Sequence, residues 1–162
     1  LKGVKIRLQN NPIGLDSFKA MGANPVVLAV GDVFASLQTG VIDAAENNEP
    51  TFDTENYVVS GTKYFDRTEH FMIPEVFVFS KKKWAKLSPD DQALIVKLAK
   101  EAQAEERVLW AQYVDKSTKK LQGQGVQFIE VDKQPFIDAT APVREKYSQQ
   151  FSSLMQEIQN TK

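Results

Sequence analysis

The sequence predicts an α/β fold with parallel strands, and three observations carry that prediction. Between Val4 and Asn48, three short β-like runs alternate with two short helical segments. Strands spaced by helices of about 10 residues are the mark of parallel βαβ units. Polar residues stand where the runs end, Arg7 closing the first and Asn47 following the third. In an open α/β sheet, ligands bind beyond the carboxyl ends of the strands.

The elements follow in order. Val4-Lys5-Ile6-Arg7-Leu8 alternates apolar and charged residues, the period of a half-buried strand. Asn11 then caps a helix with Pro12 at its first position. Ile13, Leu15, Phe18 and Met21 make its apolar face, and Gly22 stops it. Val26 to Val30 is a continuous apolar run, as expected of a strand buried on both faces. Gly31-Asp32 opens a second helix with Val33, Phe34 and Leu37 facing inward, and Gly40 ends it. Val41 to Ala45 reads as the third strand, and Glu46-Asn47-Asn48-Glu49-Pro50 as a polar break into another helix.

Thr51 to Phe65 reads as helix first and irregular chain afterwards. Phe71 to Phe79, with Val76-Phe77-Val78-Phe79, reads as a strong strand, and Lys81 to Leu87 as a short helix. Ser88-Pro89-Asp90-Asp91 is a helix start with an acidic first turn. No breaker follows until Gly123, so that helix should run roughly 34 residues, about 50 Å. A compact body of this size is about 40 Å across. The helix therefore kinks or reaches across a second body, and its charged middle, Lys100 to Arg107, suits a solvated bridge. Gly123 and Gly125 flank a turn, Val126 to Val131 is a strand, and helices are expected over Lys133–Ala141 and Val143–Gln159.

Composition removes several function classes. The 162 residues carry 20 Lys and Arg against 21 Asp and Glu, so no global basic field exists to hold nucleic acid. The absence of Cys removes thiolate catalysis, disulfides and Cys-bound zinc. His70 is the only histidine and has no ligating neighbour in sequence, so it reads as structural rather than metal-binding. Trp84 and Trp110 read as packing residues. No nucleophile elbow, phosphate loop or dinucleotide fingerprint is present, and no enzyme activity, metal or cofactor is expected. The chain starts at Leu1, three residues before a strand, and reads as a piece of a longer protein; a missing signal peptide is then uninformative.

The runs KIRLQ, GANPVVLAVGDVFASLQTG, VIDAAEN and LSPDDQALIVKLAKEA, in that order, resemble the solute-binding protein of tripartite ATP-independent periplasmic (TRAP) transporters. The most specific parts are Leu-Gln-x-Gly-x-x-Asp at Leu37 to Asp43, the following Glu46-Asn47, and the strand-ending Arg7. The resemblance covers essentially the whole chain and about the C-terminal half of a family member. It implies a periplasmic-binding-protein-like (type II-like) second lobe, built of short βαβ units with a long lobe-spanning helix, and a first lobe largely missing. Residues 1–73 and 111–162 would form the second ligand-binding lobe, and residues 74–110 would cross back to complete the first.

By the same resemblance, Arg7 pairs with a ligand carboxylate, and Asn47 reads a second oxygen or a hydroxyl. Asn10, Glu75 and Phe52 fall near further cleft positions. Ala44 departs from the glycine usual before the Glu-Asn pair. The implied ligand is an organic acid such as a sugar acid or dicarboxylate, the implied partners are the transporter's membrane subunits, and the implied location is periplasmic. Separated from its sheet, Val76 to Phe79 is an association hazard, so self-association through residues 74–110 or poor ligand binding is expected of the chain alone. From pattern alone Arg7 could be an alternation partner of Lys5, Asn47 a helix cap and Glu75 a solvent-facing strand residue. A sensing or protein-interaction module on the same fold is the alternative to transport.

Overall fold

The computed structural model describes residues 1–161. Strand β1 (Lys5–Leu8) lies at the centre of a parallel three-stranded sheet, order β2-β1-β3, with β2 at Asn24–Val27 and β3 at Ala44–Ala45. Ile6 and Arg7 stand opposite Ala44 and Ala45 on one side, and Pro25 and Val26 on the other. Helix α1 (Pro12–Ala20) connects β1 to β2; the Asn11 side chain accepts from the amides of Ile13 and Gly14. A 3-10 turn at Val30–Asp32 leads into helix α2 (Val33–Gln38), and β3 continues into helix α3 (Glu49–Thr54). A second parallel pair joins β4 (Tyr64–Arg67) to β5 (Gln127–Glu130).

Two apolar clusters flank the first sheet. On the α1 side, Ile6, Leu8, Phe18 and Ala23 are buried together. The other cluster joins Val33, Ile42, Phe52, Tyr57, Leu121 and Val126. Helix α4 (Lys81–Trp84) precedes α5 (Pro89–Gly123), whose 35 residues match the sequence expectation closely. Only Ser117 and Leu121 of α5 are buried, so the helix is anchored by its last two turns, where Lys120 also pairs with Asp53 at 2.6 Å. Helices α6 (Gln134–Ser148) and α7 (Ser152–Asn160) end the described chain. Among the described residues, no helix is long and apolar enough to cross a membrane.

Five expectations need correction. The second strand is not buried on both faces: β2 is an edge strand and Val27 is 47% exposed. Pro25 has no N–H to give a further neighbour, which suits a strand to an edge. The third strand shrinks to two residues, with Val41 exposed. Phe71 to Phe79 forms no strand, because no neighbouring strand pairs with it; Val76, Phe77 and Val78 are 73%, 81% and 79% exposed. Pro142 does not divide the last two helices. Helix α6 runs through it, and the break falls at Gln149–Phe151. Strand β4 starts at the end of the Thr51–Phe65 stretch, read as helix then irregular chain, and becomes a strand by pairing with β5, about sixty residues further on.

Candidate functional site

The carboxyl ends of the strands gather the polar groups. Arg7 is 2% exposed on β1. Its Nε donates to the carbonyl oxygen of Leu28 at 2.9 Å, just past β2, while its Nη1 is buried with no hydrogen-bond partner. The strand period explains the direction. Ile6 and Leu8 point into the α1 cluster, so Arg7 points to the opposite face, toward Tyr57. Burial pushes the Tyr57 phenol up, and the Arg7 charge partly offsets that rise. The Tyr57 hydroxyl is likewise buried without a partner.

Asn47 stands two residues after Ala45, the register partner of Arg7. Its Oδ1 accepts from the Asn48 amide at 2.9 Å. Asn48, not Asn47, caps α3, accepting from the Thr51 amide. The cap alternative for Asn47 is therefore removed.

Asn47 borders two concavities. One, of about 520 Å³, is lined by Asn47, Gln9, Glu75, Arg67 and Trp110 among others. The second, of about 500 Å³, lies between β3 and β4 with Phe52 in its wall. Glu75 is exposed and on irregular chain. Phe52 is 6% exposed and packs edge-on against Tyr57 and Phe65, so it is a core residue with one side on the second concavity. Asn10 is exposed and borders neither; its neighbour Gln9 does. Arg7 lies beneath the surface rather than in either lining.

Sequence reasoning placed Glu46 in the Glu46-Asn47 motif without a role in the site, and did not single out Glu49, Arg67 or the placement of His70. His70 Nε2 lies 3.8 Å from a Glu46 oxygen, and its Nδ1 is 2.6 Å from Thr68 Oγ1. The ring also packs against Phe18 and Phe71, so it is structural as read, and at the edge of the site as well. Phe71 reaches α1 because Gly14 has no side chain; a Cβ there would stand 3.2 Å from the Phe71 ring. Arg67 bridges Glu49 and Glu130 at 3.7 and 3.5 Å and lies over the Phe128 ring. Glu49, Arg67 and His70 stand on separate segments and meet their partners only in the tertiary structure, the Arg67–Glu130 contact lying across the β4–β5 pair.

Carboxylates dominate the first concavity: Glu46, Glu49, Asp66, Glu69 and Glu75, against Arg67 and His70. Such groups accept hydrogen bonds from hydroxyls. Among the described residues, no group of three or more His, Asp or Glu converges as metal ligands would.

This fold, with a buried arginine beneath the carboxyl end of its sheet, defines a lobe of a periplasmic-binding-protein-like α/β protein. The family model described as "Bacterial extracellular solute-binding protein, family 7" matches residues 1–150, and the chain belongs to that family. A TRAP periplasmic solute-binding protein from Pseudomonas putida F1, solved with bound D-glucuronate, is 50% identical with a TM-score of 0.94, over 100% of this chain and 53% of that one. Another from Citrobacter koseri, also with bound D-glucuronate, is 46% identical with a TM-score of 0.92, over 100% of this chain and 54% of that one. A solute-binding protein of Chromohalobacter salexigens is 36% identical over 99% of this chain and 48% of its own length. The chain thus spans about half the length of the relatives it matches.

Proposed function

We propose that this chain supplies one wall of the binding site of an extracytoplasmic solute-binding protein that captures a sugar acid of the hexuronate type for a TRAP transporter. The observation that carries the reading is Arg7, buried at the carboxyl end of β1 with Nη1 unpartnered. A buried donor left unpaired costs about 1–3 kcal/mol. A ligand carboxylate removes that cost and adds a charge-assisted bond in a water-poor setting. Asn47 reads a second oxygen, and the rim carboxylates Glu46, Glu49 and Glu75 take the sugar hydroxyls. Asn10 and Phe52 have supporting parts, the first in the β1–α1 loop and the second from the core. The D-glucuronate held by the Pseudomonas and Citrobacter relatives supports the choice of acid.

In this reading residues 1–73 and 111–162 form the lobe, and residues 74–110 belong with the other half. Support comes from burial: no residue from 74 to 110 is buried. The membrane subunits of the transporter are the partners that the loaded protein meets, and no reaction is carried out on the ligand.

Thermal shift of the native gene product against D-glucuronate, D-galacturonate, a plain dicarboxylate and a keto acid tests the proposal. Ligand at 100 times its Kd should stabilise by about 2.7 kcal/mol, a rise of several degrees. A uronate shift lost in Arg7→Ala is the expected result. A shift that survives in Arg7→Ala removes Arg7 from the site, and no shift with any acid removes the function.

A further inference from the structure

The loop that carries Asn47 is pinned at both ends. At one end the Glu46 amide donates to the carbonyl oxygen of Arg7 at 3.2 Å, just past the β1–β3 pairing. At the other end Glu49, the first residue of α3, faces Arg67 at 3.7 Å. Between them Asn47 Oδ1 accepts from the Asn48 amide and Asn48 Oδ1 from the Thr51 amide, each at 2.9 Å. Moving the first turn of α3 therefore moves Asn47 relative to Arg7.

Arg67 is the last residue of β4 and the register partner of Glu130 on β5. Its guanidinium lies over Phe128, 5.2 Å from the ring centroid, and its Nε is buried with no hydrogen-bond partner. The ring and two carboxylates therefore set its orientation, Glu49 facing one Nη and Glu130 the other. The two carboxylates are unequal: the Glu130 side chain is 71% exposed and that of Glu49 only 17%. An exposed ion pair contributes little, because water screens it and two long side chains lose freedom. A carboxylate largely out of water is costly once its cation is removed. The effect of Arg67 is therefore carried by Glu49. Arg67 is spent on these two charges, whereas Arg7 Nη1 has no partner, so Arg7 rather than Arg67 is left for a ligand carboxylate.

The geometry points to Arg67 as a positioning residue of the ligand site: from the end of β4 it holds Glu49 and the first turn of α3, and so keeps Asn47 in line with Arg7 without touching the ligand. The role rests on the sugar-acid function proposed above. Without the Arg67 charge, the Glu49 carboxylate turns toward water and draws the first turn of α3 with it. Asn47 then leaves the place from which it reads a ligand oxygen, although the core beneath it is intact.

Calorimetry of D-glucuronate binding to the native gene product, at a temperature where every variant is folded, tests the role through a double-mutant cycle. Arg67→Met keeps a stem on Phe128 and removes the charge; it should weaken binding at least about fivefold. Glu130→Gln should stay within about twofold of the wild type. Glu49→Gln removes the charge that Arg67 compensates, so Arg67→Met/Glu49→Gln should bind no more weakly than Glu49→Gln alone. Losses that multiply in the double variant overturn the proposal, because Arg67 then reaches the ligand independently of Glu49. Unchanged affinity in Arg67→Met overturns it, and so does an equal loss in Glu130→Gln. Amide hydrogen exchange without ligand is the second measurement. The Thr51 and Phe52 amides, which bond to Asn48, should exchange at least about tenfold faster in Arg67→Met, and those of residues 127–130 at the wild-type rate. Unchanged exchange at Thr51 and Phe52 overturns the proposal. If the wild type takes no acid, the function falls, and the exchange comparison alone decides whether Arg67 holds the turn. Should Arg67→Met fail to fold, Arg67→Gln takes its place with the same expected results.

Discussion

Arg7 Nε donates to the Leu28 carbonyl oxygen at 2.9 Å, so one bond across the β1–β2 pair fixes the guanidinium while Nη1 stays unspent. Arg7→Lys keeps the charge but has neither the planar fork nor the Nε donor. Truncating one partner of a buried charged pair costs about 2–5 kcal/mol of binding. Uronate affinity should therefore fall at least about 30-fold in Arg7→Lys and further in Arg7→Ala, measured by calorimetry on the native gene product. Equal affinity in Arg7→Lys would show that the fork does not face the ligand.

Helices α1 and α6 are tied by Asp16, which accepts from Lys146 Nζ at 2.7 Å and the Tyr147 hydroxyl at 3.0 Å. The Lys146 bond holds the Asp16 carboxyl below its usual 3.8, and Asp16 holds Lys146 above its usual 10.5. A lowered acid contributes stability above its unfolded pKa and loses it as pH falls through the folded value. A raised lysine contributes below its unfolded pKa and loses it as pH rises through the folded value. The stability gap between the wild type and Lys146→Met should be widest from pH 5 to 9 and should narrow below about 3.8 and above about 10.5. A gap that stays constant across a pH series of denaturant melts would exclude the tie.

Tyr57 adds to the alkaline side. Its raised pKa means that stability present below its usual 10.0 is lost as pH climbs through the folded value. Tyr57→Phe removes that titration and a buried hydroxyl with no partner. Its melting curve should fall less steeply than the wild type's above pH 10, read by circular dichroism.

The two ends of α5 should respond differently. Leu121 is fully buried, whereas Leu109 is 54% exposed. Leu121→Ala should destabilise by about 2–5 kcal/mol and Leu109→Ala by at most about 0.5 kcal/mol, in urea melts of the chain alone. A comparable loss at Leu109 would mean that the middle of α5 is covered in solution.

Pro142 sits inside α6, where the ring removes one helical hydrogen bond. Interior proline costs about 3 kcal/mol relative to alanine. The gain from replacing it is reduced because proline also stiffens the unfolded chain, by about 0.4–1 kcal/mol. Pro142→Ala should raise stability by about 2 kcal/mol in the same urea melts. An unchanged midpoint would show that the helix already bends there without cost.

Local signals were legible wherever one residue type has one job. Asn11 and Pro12 started α1, Ser88 and Pro89 started α5, and Gly123 ended it. Arg7 was legible only through the family resemblance, because alternation by itself makes it a partner of Lys5 on the polar face of the strand. The readings that failed depended on neighbours. Val76 to Phe79 has the composition of a strand and lies in no ladder, while Tyr64 to Arg67 has a weaker pattern and is in one. Separate helices were expected on either side of Pro142, yet α6 runs through it and is tied to α1 by the Lys146–Asp16 bond.

The sequence by itself determined the α/β class, the helix boundaries with strong caps, and the place of an arginine near the end of the first strand; that this arginine is buried was decided by the tertiary structure. These rest on short-range chemistry, where a cap or a period acts within a few residues. Tertiary structure alone decided that β2 is an edge, that β4 pairs with β5, and that His70 meets Glu46. A strand is completed only by its neighbour's backbone, so its fate is decided by residues far away in the chain.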